Sequence, residues 1–298
     1  MYFPVADIEV QPWLPPLVAF VISFFTSMGG VSGAFLLLPF QVSVLGFDSP
    51  SVSATNHIFN IVAIPSGVYR YIKEGRMVWP LTWAVILGTL PGVLAGAIIR
   101  VRYLPDPTAF KRFAAVVLLY IGLRLALDVY KKRPKRKKEV KSEQNTIGEK
   151  RVSAPFFNLK ELGFVFENRQ YRISTPAIML LSLTVGIIGG VYGIGGGAII
   201  APFFVTFFEL PVYTVAGAAL MGTMITSVAG VAFFQAMAPF YPNLAIAPDW
   251  RLGVLFGLGG MAGMYCGARA QKYVPARLIK TILAFCILFT GMRYLGLF

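Results

Sequence analysis

The chain has 298 residues, of which 56% are hydrophobic and 13% are charged, and its formal net charge is +14. Soluble domains carry about 25% charged residues, so this composition excludes an ordinary soluble globular protein and predicts a membrane protein. The basic charge does not indicate a nucleic-acid partner, because 13 of the 27 Lys and Arg residues fall within residues 131–172, in one loop.

The first half of the chain contains four apolar segments, at residues 14–45, 51–72, 77–101 and 108–130. A helix of about 20 apolar residues crosses the hydrocarbon core of a bilayer, so these segments predict membrane helices. The segment at 14–45 is too long for one crossing. Its motif "GGVSGAFLLLPF" places glycine and proline in an apolar run, which predicts a broken helix.

Residues 131–175 form a basic linker between two halves of the chain. Loops rich in Lys and Arg stay on the cytoplasmic side, so we expect a cytoplasmic linker. Within it, "LGFVFENRQYRIS" alternates apolar and polar residues around Glu167–Asn168 and predicts a small hairpin. The chain therefore divides into a first transmembrane repeat at 1–130, the linker at 131–175 and a second transmembrane repeat at 176–298.

The second half repeats the first, with apolar segments at 176–208, 212–235, 250–273 and 276–297. Its motif "YGIGGGAIIAPF" aligns glycines and a proline with those of "GGVSGAFLLLPF". Later positions match in the same order: Trp79 with Trp250, Gly88 with Gly259, Gly92 with Gly263, Gly96 with Gly267 and Gly122 with Gly291. Self-similarity of this kind indicates a duplicated structural unit.

The broken segments decide how the two halves are oriented. If each re-enters on one side of the membrane, each half crosses three times and the halves are inverted; if each crosses once, the halves are parallel. Positive-inside counting favours inversion, with both termini outside. Four basic residues are then left outside: Arg100, Arg102, Lys111 and Arg112. We therefore expect an all-α membrane protein made of two homologous inverted repeats, each a broken, re-entrant helix plus three transmembrane helices.

The two breaks are predicted to bind a small anion. Irregular backbone at membrane depth must be buried in protein or line a cavity, and discontinuous helices hold substrates in secondary transporters. The half-helix after each break directs N–H groups and the positive end of its dipole inward. The alternative is that the glycines only allow close helix packing. The candidates are Gly30, Ser32, Gly33, Gly193, Gly195, Gly196 and Gly197.

Polar side chains in the segment after each break are further candidates. Asn56 and Asn60 are four residues apart and share one helix face. Polar groups at this depth generally face a bundle interior or a cavity, and amide and hydroxyl donors suit an oxyanion. The alternative is interhelical hydrogen bonding alone. The set comprises Thr55, Asn56 and Asn60 in the first half and Thr223, Thr226 and Ser227 in the second.

His57 is the single histidine, and it is the candidate for proton coupling because imidazole titrates near neutral pH. The alternative is a hydrogen-bonded structural histidine. One histidine and no carboxylate at mid-span weigh against an intramembrane enzyme, which would need HExxH or paired aspartates. We expect no enzymatic activity, no cofactor and no metal site.

The motif "GVYGIGGGAIIAPFF" at residues 190–204 and its degenerate counterpart "GGVSGAFLLLPF" resemble the duplicated signature of the sulfite exporter TauE/SafE family. The resemblance covers residues 14–130 and 176–298. It implies a multi-pass transporter of sulfite, sulfoacetate or related sulfur-containing anions, although some members carry other substrates. The first copy departs from the glycine-rich form, with Ser32 and Ala34 where the second has Gly195 and Gly197. The resemblance therefore identifies a fold and a transport role better than a substrate.

Together these features predict a secondary transporter of a small, sulfur-containing anion of sulfite or sulfonate type in the cell membrane. The anion is expected to bind between the two glycine-rich breaks. A passive anion channel, or a transporter of an unrelated small solute on the same fold, is the alternative. The expected partners are the anionic substrate and the lipid bilayer, with no nucleic acid, and the sequence is compatible with a homo-oligomer.

Overall fold

A computed structural model of the protein describes residues 1–28, 32–130, 152–166, 169–270, 274 and 276–296. The helices of the first half are α1 (Leu14–Met28), α2 (Ala34–Ser43), α3 (Ser51–Ala63), α4 (Pro65–Lys73), α5 (Trp79–Arg102) and α6 (Pro107–Tyr130). The segment at 14–45 is broken between α1 and α2, as predicted. The segment at 51–72 is also divided, because Pro65 begins α4 and lacks the N–H that would continue the hydrogen bonds of α3.

The helices of the second half are α7 (Thr175–Tyr192), α8 (Ile200–Phe207), α9 (Val212–Met237), α10 (Trp250–Ala270) and α11 (Ala276–Tyr294). A single 3₁₀ turn, Ala238–Phe240, follows α9. Among the described residues, three helices are long and apolar enough to cross a membrane: Trp79–Arg102, Thr175–Tyr192 and Thr214–Phe240. The mostly helical chain is compatible with an all-α membrane protein.

Short strands accompany the helices. Strands β1 (Tyr2–Phe3) and β2 (Ile8–Glu9) pair near the N-terminus, and β3 (Ser153–Phe157), β4 (Glu161–Phe166) and β5 (Arg169–Ser174) form an antiparallel sheet in the linker. The predicted hairpin is confirmed as β4–β5, in which Leu162 lies opposite Ile173 and both are buried. Its predicted turn, Glu167–Asn168, lies outside the described residues. The additional strand β3 was not predicted.

Rows of glycine bring the two halves into close contact. Three glycines of α5 lie against main-chain atoms of α7 in the same chain order: Gly88 against Met179, Gly92 against Leu183 and Gly96 against Ile187. The matching glycines of α10 lie against α1 in the same way: Gly259 against Pro16, Gly263 against Phe20 and Gly267 against Phe24. Both helix pairs therefore run parallel, with no space for a side chain between them.

Helices α3, α4 and α9 occupy the centre, and α9 runs in the direction opposite to α3 and α4. Gly217 of α9 contacts Tyr71, Leu220 lies beside Gly67, and Gly230 lies beside His57, so the numbers of α9 rise as those of α3 and α4 fall. Helices α6 and α11 are also antiparallel: Gly122 contacts Leu288 and Gly291 contacts Leu119. Helix α10 instead runs parallel to α3, since Gly253 contacts Ile58 and Gly257 contacts Val62.

Two groups of loops mark the ends of the bundle. At end A, which comprises loops 44–50, 103–106 and 241–249, the Ser51 N–H donates to the Ala245 carbonyl (3.0 Å). At end B, which comprises loop 74–78 and the linker sheet, the Val152 N–H donates to the Gly75 carbonyl (3.0 Å). The polar segment of α3 lies between these ends, adjacent to both breaks.

Candidate functional site

The side-chain amide of Asn60 connects the two breaks. Its Oδ1 accepts a hydrogen bond from the Ser32 hydroxyl (2.9 Å), at the first break. Its Nδ2 donates to the Ile194 carbonyl (3.0 Å), at the second break, and to Ser227 Oγ on α9 (3.3 Å). One amide on α3 therefore holds both breaks and α9 together.

Asn56, one helical turn earlier, makes a second connection of the same kind. Its Nδ2 donates to the Ala34 carbonyl (3.0 Å) and to the Gly193 carbonyl (3.1 Å), which belong to different breaks. Its Oδ1 accepts from Gln41 Nε2 (3.4 Å). Gln41 is a buried residue that sequence reasoning missed, and its signal was a lone amide in an otherwise apolar stretch of α2.

The second break depends on glycine for both conformation and space. Gly193 and Gly195 each have φ of +76°, in the left-handed region that favours glycine. A Cβ on Gly195 would lie 2.9 Å from Thr223 Cγ2 and 3.0 Å from Ser227 Oγ, and one on Gly197 would lie 2.7 Å from Thr223 Oγ1. Thr223 therefore reaches the break as a packing surface, while its hydroxyl donates to the Ala219 carbonyl of its own helix (2.8 Å).

Thr226, another of the polar residues predicted in this segment, contacts the same break. Its Oγ1 accepts from the Gly196 N–H (3.1 Å) and itself donates to the Gly222 carbonyl (2.7 Å). It shares a helix face with Thr223, three residues earlier.

The first break is built differently. Gly33 has φ of −65°, which any residue adopts, and what it provides is space, since a Cβ there would lie 2.9 Å from Ser23 Oγ and 3.3 Å from Thr26 Oγ1. Ser23 Oγ is buried and has no hydrogen-bond partner among the described residues. Sequence reasoning missed Ser23, because a serine inside an apolar helix gives no distinguishing pattern. The predicted site residue Gly30 lies outside the described residues.

His57 lies beside this group, on α3. Its Nδ1 is 3.1 Å from Ser227 Oγ, and its ring centre is 6.2 Å from that of Phe234. Its Nε2 is buried with no partner in the part of the chain that the structure describes. The absence of a side chain on Gly230 makes room for the ring, since a Cβ there would lie 2.9 Å from Nε2.

Thr55 is placed apart from the other candidates. Its Oγ1 accepts from the Asp249 N–H (2.9 Å) at end A, where Asp249 Oδ1 in turn accepts from the Leu252 N–H (3.0 Å). This arrangement satisfies backbone donors at the start of α10. Thr55 therefore stabilises a helix end, and the structure does not bring it to the breaks.

The group at the breaks is neutral and closed. The side chains of Ser32, Asn56, Asn60, Thr223 and Ser227 are 0–1% exposed, and their hydrogen-bond partners are protein groups. Hydroxyl, amide and backbone dipoles are the only polar groups that these residues offer. The arrangement can hold a small solute by hydrogen bonds if the breaks move apart.

Comparison with known proteins identifies the family of this chain. The family profile described as "Sulfite exporter TauE/SafE" matches residues 16–294. The "Probable membrane transporter protein YdhB" of Bacillus subtilis (strain 168) is 27% identical over 119 residues, which are 40% of this chain and 43% of that relative's length. No solved structure matches. Since the profile covers almost the whole chain, the protein belongs to the sulfite exporter TauE/SafE family, a family of membrane transporters.

Proposed function

We propose that the protein is a secondary transporter that carries a small, sulfur-containing anion of sulfite or sulfonate type, held between the two breaks. The observation that carries the proposal is the position of Asn60, whose amide contacts Ser32 of the first break and Ile194 of the second. Neutral hydroxyl and amide donors that converge from several elements suit an anion whose charge is spread over several oxygens.

We further propose that the two halves are inverted repeats and that each broken helix re-enters on its own side. The opposite directions of α3–α4 and α9, which are equivalent segments of the two halves, support this arrangement. Because α1 runs parallel to α10, it starts at end A, where α3 also starts; because α7 runs parallel to α5, it starts at end B, where α9 also starts. The division at 1–130, 131–175 and 176–298 follows, with end B and the linker on the cytoplasmic side.

The closed state of the site favours a transporter over a passive channel. A conducting channel keeps a continuous path, whereas alternating access passes through states in which the site is sealed from both sides. Here Ser32, Asn56 and Asn60 are at most 1% exposed. Substrate binding then requires the breaks to separate, so that the anion replaces protein acceptors such as the Ile194 carbonyl as the partner of these donors.

Uptake into proteoliposomes tests the proposal, with labelled sulfite, thiosulfate, sulfoacetate and taurine, each with and without a pH gradient. Ser32→Ala and Ser227→Ala remove hydroxyls at the breaks, and Ser66→Ala is the matched control, because its hydroxyl donates only to the Ala63 carbonyl (3.1 Å). We expect saturable uptake of one anion, with a raised KM in the first two variants and an unchanged KM in the control.

The other outcomes separate the alternatives. Uptake that does not saturate and shows no counterflow would indicate a channel. An unchanged KM in the Ser32 and Ser227 variants would reduce the breaks to a packing role. No uptake of any of these anions would exclude the substrate class. Proton coupling through His57 is part of the proposal, and a pH gradient should drive uptake in the wild type but not in His57→Gln.

A further inference from the structure

Arg100 is a buried cation whose partners are weak acceptors. Its guanidinium donates to the Leu104 carbonyl and to the Asp48 carbonyl (3.4 Å), and its Cζ lies 3.9 Å from the ring centre of Phe110. The side chain is 0% exposed, and Nε has no hydrogen-bond partner among the described residues. The ion pairs found in that part of the chain do not include it. The Asp48 carboxylate acts on Arg100 electrostatically, but the two form no ion pair within that part of the chain. Buried charges are normally paired directly with an opposite charge, so Arg100 lacks the hydrogen-bonded anion that burial demands.

Two aromatic rings connect Arg100 to both breaks. The Phe110 ring under the guanidinium is 6.4 Å from the ring of Tyr192, which immediately precedes Gly193 of the second break. The Tyr192 hydroxyl donates to the Phe35 carbonyl (3.1 Å), in the first turn after the first break. Both rings are 0% exposed. The two buried rings therefore lie between Arg100 and the breaks.

The surface beside these rings is basic. Arg102 and Arg112 are exposed and Lys111 is half-buried, while the Asp106 carboxylate accepts from the Ala109 N–H (2.7 Å) at the start of α6. In the inverted arrangement this corner lies on the non-cytoplasmic side of the membrane. Loops on that side are generally poor in Lys and Arg. Membrane insertion thus does not explain these cations, whereas attraction of an anion by a concentrated positive potential does.

We propose that Arg100 is an oxyanion-binding residue on the access path between end A and the breaks, and that Phe110 and Tyr192 form the layer that closes this path. The inference rests on the proposed function. A sulfite or sulfonate group would replace the carbonyls of Leu104 and Asp48, because it offers the planar guanidinium two charged oxygens instead of two neutral ones. The Nε donor would gain a partner in the same step.

The test is sulfite binding to the purified full chain in detergent, measured by isothermal titration at constant ionic strength. Arg100→Gln should weaken binding about tenfold or more, since it removes a hydrogen bond to a charged group. Arg100→Lys should weaken it less, because a point charge remains. Arg70→Gln is the control, because Arg70 pairs with Glu74 (2.9 Å) beside end B and away from this path, and it should bind as the wild type does.

An unchanged dissociation constant in both Arg100 variants would overturn the inference, and so would the absence of any sulfite or sulfonate binding by the wild type. If Arg100→Gln does not fold, the dissociation constant of Arg100→Lys for sulfite provides the test. Uptake into proteoliposomes distinguishes a failure of this inference from a failure of the proposed transport function. Wild-type uptake together with a wild-type KM in the Arg100 variants would leave the transporter in place and remove only the Arg100 site.

Discussion

The two breaks occupy equivalent places in the two halves, but they differ in backbone conformation and in the groups that contact α3. The described part of the first break contacts α3 through the Ser32 hydroxyl as well as the Ala34 carbonyl, and its Gly33 has an ordinary φ of −65°. The second break contacts α3 through main-chain carbonyls, and Gly193 and Gly195 have φ of +76°. An added side chain would therefore strain the backbone as well as the packing at the second break, whereas the first break has a side-chain hydroxyl to lose.

The largest effect is expected from Gly195→Ala. The new Cβ would lie 2.9 Å from Thr223 Cγ2, so the free energy of unfolding should fall by about 1 kcal/mol for the left-handed backbone and about 1–3 kcal/mol more for overpacking. Uptake should be lost. Gly46→Ala is the matched control, because Gly46 has φ of +73° and nothing within 4 Å of its Cβ position. Gly46→Ala should lose only the part of the unfolding free energy that comes from the left-handed backbone, as measured by thermal unfolding. Equal losses in the two variants would mean that packing at the second break is unimportant.

A comparable loss of stability is expected from breaking the connection between the breaks at Asn60. Asn60→Ala leaves the Ile194 carbonyl and the Ser32 hydroxyl without this partner, and each buried unsatisfied group costs about 1–3 kcal/mol. Ser32→Ala alone should cost about 1 kcal/mol. A double-mutant cycle of unfolding free energies should therefore show that the two changes are coupled. Strict additivity would contradict a direct Ser32–Asn60 contact in the native state.

The smallest effect is expected from Ser23→Ala at the first break. Because the Ser23 hydroxyl is buried without a partner among the described residues, its removal should leave the melting temperature unchanged or slightly higher. If the anion uses this hydroxyl, KM for uptake should rise while stability does not fall. A lower melting temperature would show instead that Ser23 has a structural partner. This result would sharpen the contrast between side-chain and backbone contacts at the two breaks.

Elements and their bounds were largely predictable from the sequence. The broken segments, the long apolar helices and the β4–β5 hairpin all follow from local patterns of hydrophobicity, glycine and charge, which act over a few residues. The division at Pro65 was missed, although proline in an apolar run is a local signal of that kind. The sequence shows that Gly88, Gly92 and Gly96 match glycines of α10. It does not show that the two rows of glycine pack on α7 and α1.

Side-chain partnerships depended on contacts between distant parts of the chain. Asn56 and Asn60 were identified as polar residues on one helix face, yet only the tertiary structure shows that each amide reaches both breaks. Their partners in the second break lie more than 130 residues further along the chain. Thr55 belongs to the same sequence motif but turns toward Asp249, because successive residues of a helix face different neighbours.

The sequence by itself determined the membrane class, the glycine breaks and the family, because composition and spacing are properties of the chain alone. The tertiary structure decided which polar groups meet, that the group is sealed, and that Arg100 is buried beneath Phe110. Those outcomes depend on how helices that are distant along the chain pack together. Burial and hydrogen bonding are properties of that packing, and no local pattern encodes them.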